Sequence, residues 1–215
     1  VIVADTQLAG RGRRGRSWLS AAGDSLTFSL LWRLPPGRIP GGLSLAVGVA
    51  LAKALNHLGA TGIRLKWPND ILLAEADGFA KLAGILVELA SDRRGTQACI
   101  GIGLNLRAPA GELPQQVAGL DQALAIVPDR HVVLAGILTA LAEVLDQFAT
   151  HGFTAVKADW LSWHAWQDRP VQLLADGEPA QSGICRGVDD DGALLLETSA
   201  GLARILAGDL SLRAA

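Results

Sequence analysis

The stretch GRGRRGRSWLSAAGDSLTFSLLWRL, residues 10–34, places four arginines and three glycines in seven consecutive positions and then runs into an apolar segment. The spacing Gly10-x-Gly12-x-x-Gly15 matches the glycine fingerprint of loops that hold nucleotide phosphates. In the dinucleotide-binding fold such a loop opens a helix. Here the apolar residues of 25–34 alternate, which predicts a strand. The segment therefore disfavours a dinucleotide-binding fold and indicates a basic loop that leads into a sheet.

The arginines of this loop supply planar guanidinium forks that match carboxylate and phosphate groups and stay protonated. Such a run is also typical of a solvated basic loop or of a patch that contacts nucleic acid. The glycines between the arginines, and the apolar Trp18 that follows, favour a built anion site instead. The formal net charge of −2 argues against a protein that coats nucleic acid, because such proteins carry a domain-wide basic surplus. We interpret the loop as a local anion clamp.

Downstream of the loop, the pattern predicts two core helices and further strands. Apolar residues recur at helical spacing over 43–58, with Gly59 as a stop signal, and again between an N-cap at Asp129 and Gly152. Strands are expected at the start of the chain, around 63–67, from 81 and from 96. The turn signals between them, which favour an antiparallel meander, are Pro68-Asn69-Asp70, Asp77-Gly78 and Arg94-Gly95.

The last part of the chain has a different texture. After Pro170 come four short apolar segments, separated by the turns Asp176-Gly177, Asp191-Gly192 and Ala200-Gly201. This pattern indicates a small β-barrel. We expect two units, residues 1–167 and 168–215.

Three more motifs lie near the predicted strands: KWPND at 66–70, KLAGILVE at 81–88 and GIGLN at 101–105. A strand end, a tight turn and a buried tryptophan explain most of KWPND but leave Lys66 without a role. Taken alone, Lys81 is better explained as a snorkelling lysine on a core strand than as a ligand-binding residue. Each motif is weakly specific by itself.

Together and in this order, GRGRRGR, KWPND, KLAGILVE and GIGLN, followed by a small β domain, resemble the biotin protein ligase family. The resemblance runs over essentially the whole chain. It implies an α+β fold with a class II synthetase-like core, in which a mixed, largely antiparallel sheet is flanked by helices, and then an SH3-like barrel. It also implies two reactions: biotin and Mg-ATP give biotinyl-5′-adenylate and pyrophosphate, and a lysine of a biotin carboxyl carrier protein then attacks the mixed anhydride.

The resemblance implies roles for the residues of these motifs. A carboxylate and a triphosphate must approach each other in the first reaction, so cations have to crowd the reacting centre. Arg13 and Lys81 are the implied catalytic residues, since both match family cations beside the carboxyl and the α-phosphate. Trp18 is expected to wall the site. The implied biotin-binding set is Gln7, Arg11, Gly12, Arg13, Trp18, Lys81, Gly84 and Gly101.

The implied ATP- and adenylate-binding set is Arg13, Arg16, Asn69, Asp70, Lys81 and Asn105. Whether Asp70 acts as a base is left open, and no residue is assigned to the Mg²⁺ of Mg-ATP. Residues 106–120 lack the tryptophan with which some members of the family cover the adenine, so an ordered adenine lid is not expected.

The remaining features concern compartment and partners. Cys99 and Cys185 form no C-x-x-C pattern, which suits a reducing compartment, the cytoplasm, and two buried inert thiols. No apolar run of the ~18 residues that span a bilayer is evident, so no membrane partner is expected. Nucleic-acid binding by this chain is not expected either, and homodimer formation is left open. The four histidines are interpreted as surface or helix-end residues because they have no metal-ligand spacing: His57, His131, His151 and His164.

The chain contains no methionine, so an N-terminal segment is expected to be missing. In the resembled family the segment upstream carries serine and threonine contacts to biotin. Residues 1–215 are therefore expected to bind biotin more weakly than a complete gene product.

Two other classes stay open at this point. A lipoate or octanoate transferase shares the fold and uses a similar lysine, but is not expected to carry GRGRRGR or the C-terminal barrel. A non-catalytic regulatory module, whose arginines grip phosphate, would show a steep dependence of its affinity on salt.

Overall fold

The computed structural model describes residues 1–36, 39–93, 95–109, 115–175, 180–206 and 210–214. Three α-helices and eleven strands lie in these ranges. In chain order they are β1 (Ile2–Ala4), β2 (Ser25–Leu34), α1 (Leu43–His57), β3 (Ile63–Lys66), β4 (Asp70–Glu75), β5 (Gly78–Asp92), β6 (Gly95–Asn105), α2 (Arg130–His151), α3 (Lys157–Trp163), β7 (Pro170–Ala175), β8 (Gln181–Val188), β9 (Leu194–Thr198), β10 (Gly201–Ile205) and β11 (Leu210–Ala214).

Six strands form the first sheet, in the order β1-β2-β6-β5-β4-β3, and every neighbouring pair is antiparallel. Parallel contacts within the described ranges are limited to the isolated bridges Leu65–His164 and Lys81–Val117. The expected α+β class with a largely antiparallel sheet is confirmed. The second sheet, also antiparallel, has the order β10-β9-β8-β7-β11, which agrees with the expected small C-terminal β domain.

The central strands β2, β5 and β6 have one apolar and one polar face. Because successive side chains of a strand point to opposite faces, Leu26 and Phe28 lie on the side of the helices, and Thr27 lies on the other. Gly48 of α1 packs against Ile85 of β5, which places α1 on the apolar face. The opposite face of the first sheet is not covered by α1, and the cavity described below lies on it.

Strands β4 and β11 escaped the sequence reasoning. Asp70, expected in a turn, is the first residue of β4, because the turn after β3 takes only residues 67–69. The peptide bond between Trp67 and Pro68 in this turn is cis. The sequence analysis expected β5 to begin at Lys81. In the structure it begins three residues earlier, at Gly78. The predicted turn residues Arg94 and Asp176-Gly177 lie outside the described residues.

Helix α2 begins after the predicted N-cap: the Asp129 carboxylate accepts a hydrogen bond from the backbone N–H of His131. The helix is long and apolar enough, by length and composition, to cross a membrane, with a mean hydropathy of 1.7. The expectation that no apolar run has this length was therefore wrong. Its apolar stripe, which includes Ile137 and Leu141, is buried in the core with α1. This is the arrangement of a core helix.

Another expectation, that both cysteines are buried, was wrong for one of them. Cys99 is only half-buried, because it faces the open side of the sheet, whereas Cys185 is buried and burial raises the pKa of its thiol to about 11. His164 is a helix-end residue, as expected, since it caps the C-terminus of α3, but it is buried: it is 6% exposed and stacks on Trp160 with 4.4 Å between ring centroids. The other three histidines are exposed, as expected.

The C-terminal sheet docks on the first sheet through the KWPND turn. The indole of Trp67 is fully buried and its Nε1–H donates to the carbonyl oxygen of Gly192, in the turn before β9. A Cβ atom on Gly192 would lie 2.7 Å from the Cα of Gly42, so the two backbones touch where α1 begins. The backbone N–H of Ala165 donates to the carbonyl oxygen of Leu65, on the edge strand β3.

Candidate active site

The basic loop is closed by its own backbone. Trp18 N–H donates to the carbonyl oxygen of Gly10 at 2.9 Å, and Gly12 N–H donates to that of Arg16 at 2.7 Å. A short 3-10 turn, Arg13–Gly15, forms the tip, where Arg14 and Gly15 have positive φ angles of 62° and 65°. Glycine adopts this conformation at no steric cost, which explains one of the three glycines. The arginines thus project from a tight hairpin-like loop.

This loop folds over the open face of the first sheet and encloses a cavity of about 780 Å³. The cavity is of a size that ordinary small-molecule ligands occupy. All twelve residues that the sequence analysis selected line it: Gln7, Arg11, Gly12, Arg13, Arg16, Trp18, Asn69, Asp70, Lys81, Gly84, Gly101 and Asn105. A second cavity of about 420 Å³ adjoins it, and Trp18 and Asn105 line both.

A lysine–carboxylate cluster, Lys66, Asp70 and Lys81, lies in one wall of the cavity. The Asp70 carboxylate is 2.7 Å from Lys81 Nζ and 3.4 Å from Lys66 Nζ, and only 12% of its side chain is exposed. Burial raises the pKa of Asp70, but the charges of Lys81 and Lys66, which also donate hydrogen bonds, outweigh it and hold that pKa below its usual value. Asp70 is therefore ionised and clamped between two cations.

Lys66 completes this cluster. It is 6% exposed, and burial lowers its pKa by more than the carboxylate of Asp70 raises it. The cation also lies 5.8 Å from the ring centroid of Trp166. The sequence analysis left Lys66 without a role. The four-residue spacing of Lys66 and Asp70 across the β3–β4 turn was a signal in the sequence that these two charges could pair.

Arg13 and Asn69 are linked directly. Arg13 Nη1 donates to Asn69 Oδ1 at 3.3 Å, and Asn69 Nδ2 donates to the carbonyl oxygen of Ile85 at 2.7 Å. The amide of Asn69 therefore connects the tip of the basic loop to the middle of β5. This hydrogen-bonded chain fixes where the guanidinium of Arg13 stands.

The side chain of Asn105 is buried and hydrogen-bonded to backbone carbonyl oxygens. It is 4% exposed, and its Nδ2 donates to the carbonyl oxygens of Ala118, at 3.1 Å, and Lys81, at 3.4 Å. Residues 116–118 add to β5 beside Lys81 through backbone hydrogen bonds of 2.9 Å. Asn105 thereby holds the backbone from which Lys81 projects.

Trp18 lies flat on the sheet between the two cavities. A Cβ atom on Gly103 would overlap its indole, and one on Gly84 would lie 3.4 Å from the ring and 3.3 Å from Lys81 Nζ. The space above Gly84, expected for a ligand, is therefore shared by Trp18 and the lysine. Above Gly101 the nearest atom, the carbonyl oxygen of Leu86, is 3.5 Å away, so this glycine is more open to the cavity.

Several cavity residues were not found from the sequence. Thr27 comes from the start of β2, and Ser211 and Arg213 come from β11, in the C-terminal sheet. Arg213 is close enough for its charge to lower the pKa of Lys66. No local pattern marks these three residues, because only the register of the strands and the docking of the second sheet bring them here.

The side chains around the cavity carry a clear surplus of positive charge. Among the described residues that line it, seven are cationic and two acidic: Arg11, Arg13, Arg14, Arg16, Lys66, Lys81 and Arg213 against Asp70 and Glu88. Preorganised cations in a partly buried site stabilise anions far better than water does. The described residues contain no group of three or more His, Cys, Asp or Glu that would hold a metal ion by itself. The arrangement suits a ligand with at least two anionic groups.

Comparison with known proteins agrees with this geometry. Residues 1–105 match the Biotin/lipoate A/B protein ligase family, and residues 168–213 match the Biotin protein ligase C terminal domain. A biotin--[acetyl-CoA-carboxylase] ligase of Paracoccus denitrificans is 35% identical over 212 residues, which cover 93% of this chain and 85% of that protein. The chain belongs to the biotin protein ligase family.

Further relatives of this ligase-family chain include a bifunctional ligase/repressor BirA of Salmonella typhimurium, 39% identical over 218 residues. That match covers 99% of this chain and 66% of the BirA protein, so the chain spans just under two thirds of that relative. A solved structure, biotin protein ligase from Aquifex aeolicus in complex with biotin and ATP, superposes with a TM-score of 0.82 at 32% identity. It covers 99% of this chain and 88% of the Aquifex chain.

Proposed function

We propose that this chain is an ATP-dependent biotin–protein ligase. It activates biotin to biotinyl-5′-adenylate and transfers the biotinyl group to a lysine of a biotin carrier domain. The observation that carries the proposal is the surplus of positive charge around one cavity, which is lined by seven cationic and two acidic side chains. The Aquifex relative with the same fold, in complex with biotin and ATP, supports it.

In the first reaction an oxygen of the biotin carboxylate attacks the α-phosphorus of ATP, and the bond from that phosphorus to the oxygen bridging to the β-phosphate breaks. Pyrophosphate leaves with the electron pair of the broken bond. Arg13, held by Asn69 at 3.3 Å, and Lys81 both line the cavity, and we propose that they contact these anions. Their charges offset the repulsion between the reactants and stabilise charge that grows in the transition state.

In the second reaction the amine of the acceptor lysine attacks the carbonyl carbon of the adenylate. The bond to the phosphate oxygen breaks, AMP leaves, and the nitrogen gives up one proton to solvent. Lys81 is proposed to stabilise charge in this step as well. Asp70 is a poor candidate for the base, because its pKa is lowered by Lys81 and Lys66 after burial has raised it. We assign Asp70 instead to holding both lysines in place.

Mg²⁺ is proposed to arrive as part of the substrate Mg-ATP. Magnesium ions in such sites are bound by one or two carboxylates together with substrate phosphates and water. Of the two acidic side chains of the cavity, Glu88 is compatible with this mode, because Asp70 is held between Lys81 and Lys66. The cationic side chains that line the cavity are proposed to bind and orient the phosphate groups.

Other parts of the proposal rest on the family. A biotin carboxyl carrier protein is the proposed acceptor, and a cytoplasmic location and the absence of nucleic-acid binding by this chain stay predictions, with homodimer formation open. We also propose the division into residues 1–167 and 168–215; the C-terminal family match, which begins at 168, supports it. The twelve selected residues keep their proposed biotin and nucleotide roles.

The test is release of pyrophosphate from Mg-ATP, measured with biotin, lipoate, octanoate or no acid present. We expect release only with biotin, followed by incorporation of labelled biotin into a carrier domain. Release with lipoate or octanoate instead would overturn biotin as the substrate and show ATP-dependent activation of that acid by the same fold. No release with any acid, together with salt-sensitive binding of DNA, would favour the non-catalytic module.

A further inference from the structure

The turn before β9, residues 189–192, is organised around one carboxylate, and we call it the docking turn. The Asp189 carboxylate accepts hydrogen bonds from the backbone N–H groups of Asp191, at 3.0 Å, and Ala193, at 2.9 Å. The backbone closes the same turn, because Gly192 N–H donates to the carbonyl oxygen of Asp189 at 3.1 Å. The side chain of Asp189 therefore fixes the shape of the docking turn.

Arg204 of β10 holds the docking turn from its outer side. Its Nε donates to the carboxylate of Asp189, and its Nη2 donates to the carboxylate of Asp191 at 2.9 Å. A planar guanidinium fixes two acceptors in one relative geometry. The side chain of Arg204 is 46% exposed, and exposed ion pairs contribute little to stability. We therefore expect this arginine to affect the geometry of the docking turn more than the free energy of unfolding.

The docking turn contacts three elements that precede it in the chain. Gly192 is buried, and its carbonyl oxygen accepts the indole N–H of Trp67 at 3.1 Å. The Asp190 carboxylate accepts from Lys157, the first residue of α3, at 2.7 Å. Near the start of α1, a Cβ on Gly41 would lie 3.1 Å from a carbonyl oxygen of the docking turn. The position of the docking turn is thus tied to the KWPND turn through Trp67.

Trp67 links this contact to the cavity. The residue is fully buried and follows Lys66 directly, and Asn69 and Asp70 come two and three residues later. All three of these neighbours line the cavity, and Asn69 also accepts the hydrogen bond of Arg13. Because the turn between β3 and β4 has only three residues, a shift of the indole moves the side chains beside it. Misplacement of reacting groups by about 1 Å can cost roughly a hundredfold in rate.

We propose that Arg204 is a positioning residue for the activation of biotin: through the docking turn and Trp67, it fixes where the KWPND turn stands in the cavity. Arg204 is not among the described residues that line the cavity, so it acts through Trp67 and not on the substrates. The inference rests on the proposed function, because the rate that it concerns is that of adenylate formation.

The test compares Arg204→Ala with Arg186→Ala. Arg186 is the matched control, because it is 44% exposed and also bridges two carboxylates, those of Asp168 and Glu197, outside the docking turn. At saturating biotin and Mg-ATP, we expect single-turnover formation of biotinyl-adenylate to slow about tenfold in Arg204→Ala and to keep the wild-type rate in Arg186→Ala. Urea unfolding should show the same small loss of stability in both variants. A wild-type rate in Arg204→Ala, or equal slowing in both variants, overturns the role of Arg204.

A double-mutant cycle with Trp67→Phe tests the path of this effect, since residues that act through one contact have non-additive effects. Trp67→Phe removes the hydrogen bond to Gly192, so it should slow the reaction by itself. Adding Arg204→Ala to Trp67→Phe should then slow the reaction no further. Effects of the two changes that multiply would overturn the path through Trp67.

A readout without catalysis separates this inference from the proposed function. The indole N–H signal of Trp67 in a nuclear magnetic resonance spectrum is the one that Trp67→Phe loses. We expect this signal to shift in Arg204→Ala and to stay in place in Arg186→Ala. An unmoved signal in Arg204→Ala overturns the inference and leaves the ligase function intact. A wild-type chain that forms no adenylate overturns the proposed function, and with it the effect of Arg204 on the rate, whatever the signal does.

Discussion

The indole Nε1–H of Trp67 donates a hydrogen bond of 3.1 Å to the carbonyl oxygen of Gly192, 125 residues further along the chain. Trp67 is the first residue of the turn between β3 and β4, directly after Lys66 and two residues before Asn69. Gly192 lies in the turn that leads into β9 of the C-terminal sheet. The same motif that supplies the cavity with charge therefore anchors the second sheet.

Replacing Trp67 by phenylalanine should destabilise this junction. The change keeps most of the apolar volume but leaves a buried carbonyl unpaired, which costs about 1–3 kcal/mol of the free energy of unfolding. Trp32→Phe is the matched control, because the Nε1–H of Trp32 is buried without a partner among the described residues. Chemical denaturation should show the loss for Trp67→Phe and none for Trp32→Phe. Equal effects would mean that the bond to Gly192 contributes nothing.

Lys81→Ala should lower the rate of adenylate formation about a hundredfold, since removing a preorganised charge from the transition state costs ~3 kcal/mol. The fold should survive, because Asp70 keeps Lys66 as its partner at 3.4 Å. Single-turnover pyrophosphate release measures the rate. Lys53→Ala is the control, since Lys53 forms an exposed ion pair with Asp159. An unchanged rate in Lys81→Ala would reduce Lys81 to a snorkelling side chain.

Arg13→Ala should release the adenylate intermediate early. Charge-assisted hydrogen bonds contribute about 1.5–3 kcal/mol, so dissociation of biotinyl-adenylate should accelerate roughly ten- to a hundredfold, with a smaller effect on free biotin. Dissociation of labelled adenylate measures this directly. Arg33→Ala, on the exposed side of β2 and paired with Asp92, serves as the control. Wild-type retention of the adenylate in Arg13→Ala would exclude the proposed role.

His164 should make folding sensitive to acid. Burial lowers the pKa of its imidazole from 6.5 to about 4. The unfolded chain then binds a proton that the folded chain does not, so stability is full above pH 6.5 and falls as the pH drops towards 4. At 1.36 kcal/mol for each pKa unit, the loss is about 3 kcal/mol. Above pH 6.5 the imidazole of His164 is neutral in both the folded and the unfolded chain, so it does not change the free energy of unfolding there.

Replacement of His164 by phenylalanine tests this. The variant should keep the stack on Trp160 and flatten the pH dependence of the free energy of unfolding between pH 6.5 and 4. His57→Ala, at an exposed position near the end of α1, should leave the slope as it is. A slope that persists in His164→Phe would show that carboxylates alone cause the acid sensitivity.

Local patterns in the sequence predicted α1, α2 and most strands but not α3, and the resemblance to the biotin protein ligase family selected the twelve cavity residues. Alternation within 25–34 indicates a strand because side chains of a strand alternate between faces, and the caps at Asp129 and Gly152 mark α2 because they satisfy helix ends. The order of the motifs indicated the family, which the comparisons confirm. Strand β4 was missed because its turn is only three residues long.

What the sequence determined by itself is thus whatever depends on neighbours along the chain: the closed basic loop, the periodicity of α1 and α2, and the charged turn at 66–70. The tertiary structure alone decided which distant residues meet. Thr27, Gly103 and Gly84 form one row because β2, β6 and β5 pair in that register. Arg213 reaches the cavity because the second sheet docks beside Lys66. Strand pairing and sheet docking follow from burial summed over the whole chain, which no local segment encodes.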